Sequence, residues 1–159
     1  MAVREIVRGL GSLVITHPFL AGLNPRFYRF FIECAQLHNY ATGREIFHEG
    51  GSAERFYLIE RGKVSLETFV PGRGSVPIET LGAGQALGWS WLFEPRQWHF
   101  TASAAAPTEL VVFDARMLLD KAEENRDFKN ELVSRVARSL VARLHATRVQ
   151  LIDIYGLRP

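Results

Sequence analysis

The chain has 159 residues, 47% of them apolar and 23% charged, with a formal net charge of +2. These figures fit one domain with a packed core, and they exclude a disordered tail and a strongly basic nucleic-acid coat. Cys34 is the one cysteine, which excludes an internal disulfide, a four-cysteine zinc site and a cysteine-held iron–sulfur cluster and fits a reduced compartment. No apolar run is long enough to cross a bilayer, and the first fifteen residues lack a signal-peptide cleavage pattern. A single domain over residues 1–159, in the cytoplasm and away from membranes, is the expectation.

Three zones follow one another. Residues 1–40 read as helical: Val3, Ile6, Val7 and Leu10 recur at helical spacing, and Asn24-Pro25 offers an N-cap followed by proline at the first helical position. Phe27, Phe30, Phe31, Cys34, Ala35 and Leu37 then form an apolar stripe, with Cys34 a buried packing thiol on it. Residues 43–114 hold nine of the thirteen glycines, which punctuate short strand-like runs. Lys63–Phe69 mostly alternates polar and apolar residues, and Pro71-Gly72-Arg73-Gly74 reads as a hairpin turn. Short strands at this spacing predict a small antiparallel jelly roll, so the fold class is α+β, mainly β. Residues 115–155 return to helix, with Asp114 and Asp127 as caps. Val133, Val136, Leu140, Leu144, Thr147, Leu151 and Ile154 recur close to a coiled-coil seam, which predicts a dimerisation helix.

The middle of the chain resembles the cyclic nucleotide-binding domain of catabolite activators and kinase regulatory subunits. The residues that carry the resemblance are Gly43–Gly50, Ala53, Tyr57–Ile59, Gly62–Val64, Leu81–Gly84, Gly88 and Leu110–Phe113, with His17–Leu20 and Leu23 as a lead-in. Gly50, Gly62, Gly82 and Gly84 are expected at sharp turns with positive φ. The resemblance implies a non-catalytic sensor that holds cAMP, cGMP or a related nucleotide on a cassette turn beginning at Gly88. Free amides at the start of such a turn favour phosphate.

The family's cassette carries a glutamate for the ribose and an arginine for the phosphate, and an ungapped alignment puts Trp89 and Trp98 there. Two readings stay open. In the first, the amides of Gly88, Trp89, Ser90 and Trp91, helped by Arg96 or His99, hold an atypical nucleotide or aromatic anion, with Trp89, Trp91 and Trp98 stacking on its ring. In the second, the indoles fill the pocket and the chain is an interaction or scaffold subunit with no ligand.

A metal-dependent cupin-like site, or a haem site with His99 as axial ligand, is a lesser alternative. None of the five histidines is paired in a ligand motif, and no catalytic serine elbow is present. Arginines of the C-terminal helix read as a solvated face rather than a nucleic-acid surface. Leu132, Val136 and Leu140 fit a dimer contact, and Phe128 or an early arginine could cap the pocket. The expected partners are a small-molecule ligand, a second copy through residues 127–154 and a protein target, with no DNA bound by this chain. It ends at Pro159 without a helix-turn-helix, and a start at Met with no tag at the end favours a stand-alone module over an excised piece.

Overall fold

The computed structural model describes residues 2–156, with side chains from residue 9 onward. Helix α1 (Ala2–Thr16) covers the first apolar repeat, although the side chains of Val3, Ile6 and Val7 lie outside the described ones. Short 3-10 turns at Pro18–Leu20 and Pro25–Phe27 lead into α2 (Tyr28–Glu33). Asn24 caps the second turn, its Oδ1 accepting from Arg26 N–H at 3.2 Å.

The helical zone ends earlier than its stripe predicts. Residues Ala35–Tyr40 are strand β1, paired antiparallel with β8 (Thr108–Asp114) from Ala35↔Phe113 to Tyr40↔Thr108. Cys34 is the hinge: its N–H closes the helix on Phe31 O, and its own carbonyl accepts from Asp114 N–H at 3.1 Å. A ladder of six residue pairs outweighs the helical tendency of so short a segment. Cys34 is buried, and burial, with Asp114 nearby, pushes its thiol up to about 12, so it is inert packing.

The remaining strands are β2 (Glu45–Phe47), β3 (Arg55–Arg61), β4 (Lys63–Val70), β5 (Gly74–Gly82), β6 (Ala86–Leu87) and β7 (Thr101–Ala104). They form two four-stranded antiparallel sheets in the orders β1-β8-β3-β6 and β2-β7-β4-β5, as the jelly-roll expectation required. The β4–β5 hairpin turns where predicted, with Gly72 and Gly74 at positive φ. Gly50, Gly62 and Gly84 also adopt positive φ; Gly82 does not, because it continues the ladder opposite Lys63.

Strand β3 explains the layering. Phe56, Tyr57, Leu58 and Ile59 are all buried, so both faces of this strand are covered. Phe56 meets Phe19, Trp91 and Phe113 on the helical side, whereas Tyr57 meets Phe47 and Trp98 between the sheets.

Asp114 caps α3 (Ala115–Glu124) as expected, accepting from Met117 N–H at 3.1 Å. The long helix α4 (Arg126–Ile154) is capped by Asn125 rather than Asp127, which sits in its first turn. Phe128, Leu132 and Val136 are buried against the domain, so these residues are not available for the dimer or pocket-cap roles read from sequence. Phe128 packs on Phe27, Phe30 and Phe31. Arg135 ties the helix to the lead-in turn by donating to Phe19 O and Ala21 O at 2.9 and 2.8 Å. Among the described residues no helix is long and apolar enough to cross a membrane.

Candidate functional site

The cassette segment runs from β6 to β7. Gly88, at φ 83°, turns the chain out of β6 and into a one-turn 3-10 helix, Ser90–Leu92. The first bond closing that turn is Leu92 N–H to Trp89 O at 3.1 Å, so the amides of Ser90 and Trp91 lie ahead of it. Glu94-Pro95 is a cis peptide, and Arg96 follows at φ 54°.

The three tryptophans take three different places. Trp91 is fully buried on the helical side of β3, its ring 4.9 Å from Phe56, with Nε1–H donating to Gly88 O at 3.2 Å. Trp89 is half-buried at the rim, 5.6 Å from the ring of His99, which is itself exposed. Trp98 enters the space between the sheets. Its indole lies flat on Phe47, with centroids 3.8 Å apart and planes 11° apart, and leans on Tyr57 at 6.2 Å. Its backbone is held at both ends, N–H to Gly51 O at 2.9 Å and carbonyl to Gly50 N–H at 2.8 Å.

Trp98 thereby fills the space between the sheets beside Gly88. The space remaining among Phe47, Gly88, Ser90 and Trp98 is about 10 Å³, and a second pocket beside Phe19 and Trp89 is also about 10 Å³. One water needs about that much, whereas small-molecule sites run to about 300–1,000 Å³. Arg96 points elsewhere: it pairs with Glu94 at 3.3 Å and lines an outer groove with Glu54, Asp114 and Asp120. Gly88, Trp89, Ser90, Trp98 and His99 therefore surround one small remnant, while Trp91 and Arg96 stand outside it.

Sequence reading did not anticipate Arg143. This residue of α4 lines both remnants and donates to Glu79 of β5, from Nε to Oε1 at 3.0 Å and from Nη2 to Oε2 at 2.6 Å. An arginine among apolar neighbours late in a long helix was the available signal. Among the described residues no three His, Cys, Asp or Glu side chains gather as a metal site.

The model of the cyclic nucleotide-binding domain matches residues 37–125. No curated protein sequence matches the chain. Among solved structures, a cyclic nucleotide-binding domain of Methylobacillus flagellatus superposes with a TM-score of 0.76 at 17% identity, covering 94% of this chain and 84% of that one. The sensor domain of the transcriptional regulator DNR of Pseudomonas aeruginosa gives 0.70 at 20% identity, over 89% of this chain and 95% of that one. Catabolite activator protein of Thermus thermophilus gives 0.67 at 24% identity, with 87% of this chain against 63% of that longer one. These likenesses establish the jelly roll with its flanking helices. The family match spans more than half of the sequence and includes the strands, the glycine turns and the cassette, and it makes this chain a member of the cyclic nucleotide-binding domain family.

Proposed function

We propose that this member of the family is a non-catalytic regulatory module whose nucleotide cavity is closed by its own Trp98, so that it acts through protein contacts rather than by holding cAMP or cGMP. The 3.8 Å stack of Trp98 on Phe47, with about 10 Å³ left beside it, is the observation that carries this reading. Loss of the arginine that family cassettes direct at phosphate supports it: Arg96 is engaged outside with Glu94.

The contact surface is the distal half of α4. Val141, Leu144, Leu151 and Tyr155 are 67%, 52%, 47% and 72% exposed and recur at coiled-coil spacing around Arg148. These four, the last of them the C-cap residue, with Ile152 and Ile154 also exposed nearby, fit a second copy packing along the helix.

Calorimetric titration of the purified chain with cAMP and cGMP tests the closed pocket. The expected result is no binding heat and no thermal shift at millimolar nucleotide. Saturable binding of either would restore the open-sensor reading.

A further inference from the structure

Among the described residues His17 is the one buried histidine, and it stands where three parts of the fold meet. Its Nε2–H donates to Ile59 O at 2.9 Å, where the β3 ladder shifts register. The same carbonyl accepts from Gly84 N–H at 2.9 Å, in the turn between β5 and β6. His17 Nδ1 accepts from Phe19 N–H at 3.2 Å and so caps the lead-in turn Pro18–Leu20. Pro18 lies against Gly84, its Cγ 3.2 Å from where a Cβ would stand. The far end of the turn holds α4, because Arg135 Nη1 donates to Phe19 O and Ala21 O. This short turn therefore links the barrel to the long helix.

The link depends on the proton count of one ring. Nδ1 accepts only in the neutral imidazole; a proton there would set an N–H against Phe19 N–H and undo the cap of the turn. Residues 9–16, the turn itself and residues 82–85 bring no charged side chain to the ring. Glu60 of β3 favours the protonated form, Tyr28 of α2 donates its hydroxyl to Leu20 O at 3.0 Å, and Arg135 is the charged group that reaches the turn from α4. Burial is the largest influence on the ring and holds it below its ordinary value in the closed turn; an open turn gives that value back, so acid favours opening. Arg135 passes the opening on. Its side chain is 9% exposed, and its Nε faces Glu131 at 3.3 Å without a hydrogen bond. Deprived of the two turn carbonyls, that charge would stand buried and poorly partnered, so the helix around residue 135 loosens when the turn opens.

We propose that the turn His17–Ala21 is a proton-operated latch: neutral His17 holds it closed on the barrel, and acidification opens it and frees α4 around Arg135 while the two sheets stay folded. The latch is independent of the cavity that Trp98 fills. Its consequence for the contact surface of α4 rests on the reading proposed above, but the latch itself is read on amides 133–139, ahead of that surface.

Hydrogen exchange of the full chain at about pH 7.5 and about pH 5.5, corrected for intrinsic rates and repeated in low denaturant, is the test. Residues 19–23 and 133–139 are expected to open up to about tenfold more often at the lower pH. That opening exposes little surface, so it responds weakly to denaturant, whereas β3 and β8 stay far better protected and respond steeply. His17→Gln keeps a donor for Ile59 O and takes up no proton, so the pH response of both segments is expected to vanish. Arg135→Met leaves His17 in place, so residues 19–23 keep the response and residues 133–139 lose it. A response that survives in His17→Gln, or that still reaches residues 133–139 in Arg135→Met, overturns the proposal. So do segments that exchange together with β3 and β8 at every denaturant concentration, because the opening is then global unfolding.

Discussion

Gly88 and Trp98 share one space: a Cβ built on Gly88 would stand 2.5 Å from Cζ3 and 2.8 Å from Cη2 of the indole. The glycine that opens the cassette turn serves here as the seat of the plug, and its φ of 83° is a conformation that side-chain-bearing residues rarely adopt. Gly88→Ala meets both objections at once. A destabilisation of about 2–4 kcal/mol is expected, summed from left-handed backbone strain and overpacking. Denaturant midpoints measure it, and a red shift of tryptophan emission reports displacement of the indole.

Trp98→Ala removes the plug itself. Loss of a buried indole costs about 3–5 kcal/mol, because the transfer free energy is lost and a cavity remains. Such a cavity, walled by Phe47, Tyr57 and Leu66, is apolar and is expected to take up free indole, which raises the melting temperature of the variant but not of the parent. cAMP is still expected to bind poorly to the variant, since opening the hollow does not bring Arg96 into it.

The jelly roll was legible because glycines at turns and alternation along strands are local signals, and Lys63–Phe69 with Pro71–Gly74 carried them plainly. The boundary at Cys34 was not legible, because Phe27–Leu37 keeps a helical stripe across a junction that only pairing with β8 decides. That tryptophans stand at two cassette positions could be read from Trp89 and Trp98 in line. Which indole enters the barrel could not, since that depends on the cross-bridge of Ser52 with Gln97 turning the next residue inward. Leu132 and Val136 carry a spacing that fits a dimer contact, and contact with the domain makes them core instead.

If the distal half of α4 pairs with a second copy, charge on its stripe should separate the two. Val141→Asp with Leu144→Asp is expected to yield a monomer in light scattering at concentrations where the parent is dimeric. The thermal stability of the monomeric domain should change little, because both side chains are exposed within one chain. A parent that is monomeric at high concentration removes the dimer from the proposal.

His17 makes stability depend on pH. It is buried, its Nε2–H donates to Ile59 O at 2.9 Å, and its Nδ1 accepts from Phe19 N–H at 3.2 Å. Both nitrogens are therefore committed to the neutral ring, and a proton on Nδ1 would face another donor. Burial holds the imidazole below its ordinary value of 6.5, so the unfolded chain takes up the proton first. This contribution is complete above about pH 6.5 and declines as pH falls through that value toward the lower folded-state value. Denaturation between pH 8 and pH 5 should show the decline, and His17→Gln should flatten it; a residue of the same sign is expected from His38, which is also lowered.

Glu79 and Arg143 join the far half of α4 to β5, with side chains only 27% and 15% exposed. Two parallel charge-assisted bonds in a half-dry site hold that helix against the barrel where the remnant of the cavity is capped. Removing one partner leaves the other charge partly buried, so Glu79→Gln or Arg143→Met alone should destabilise by about 1–3 kcal/mol. The double variant should cost less than the sum of the two, by a coupling of about 1 kcal/mol. Hydrogen exchange gives the sharper readout. In either single variant the amides of residues 137–150 should exchange faster, while β3 and β8 keep their protection, since only the helix loses an anchor. Uniform acceleration throughout the domain would instead assign the pair to global stability and remove it as the tether of α4.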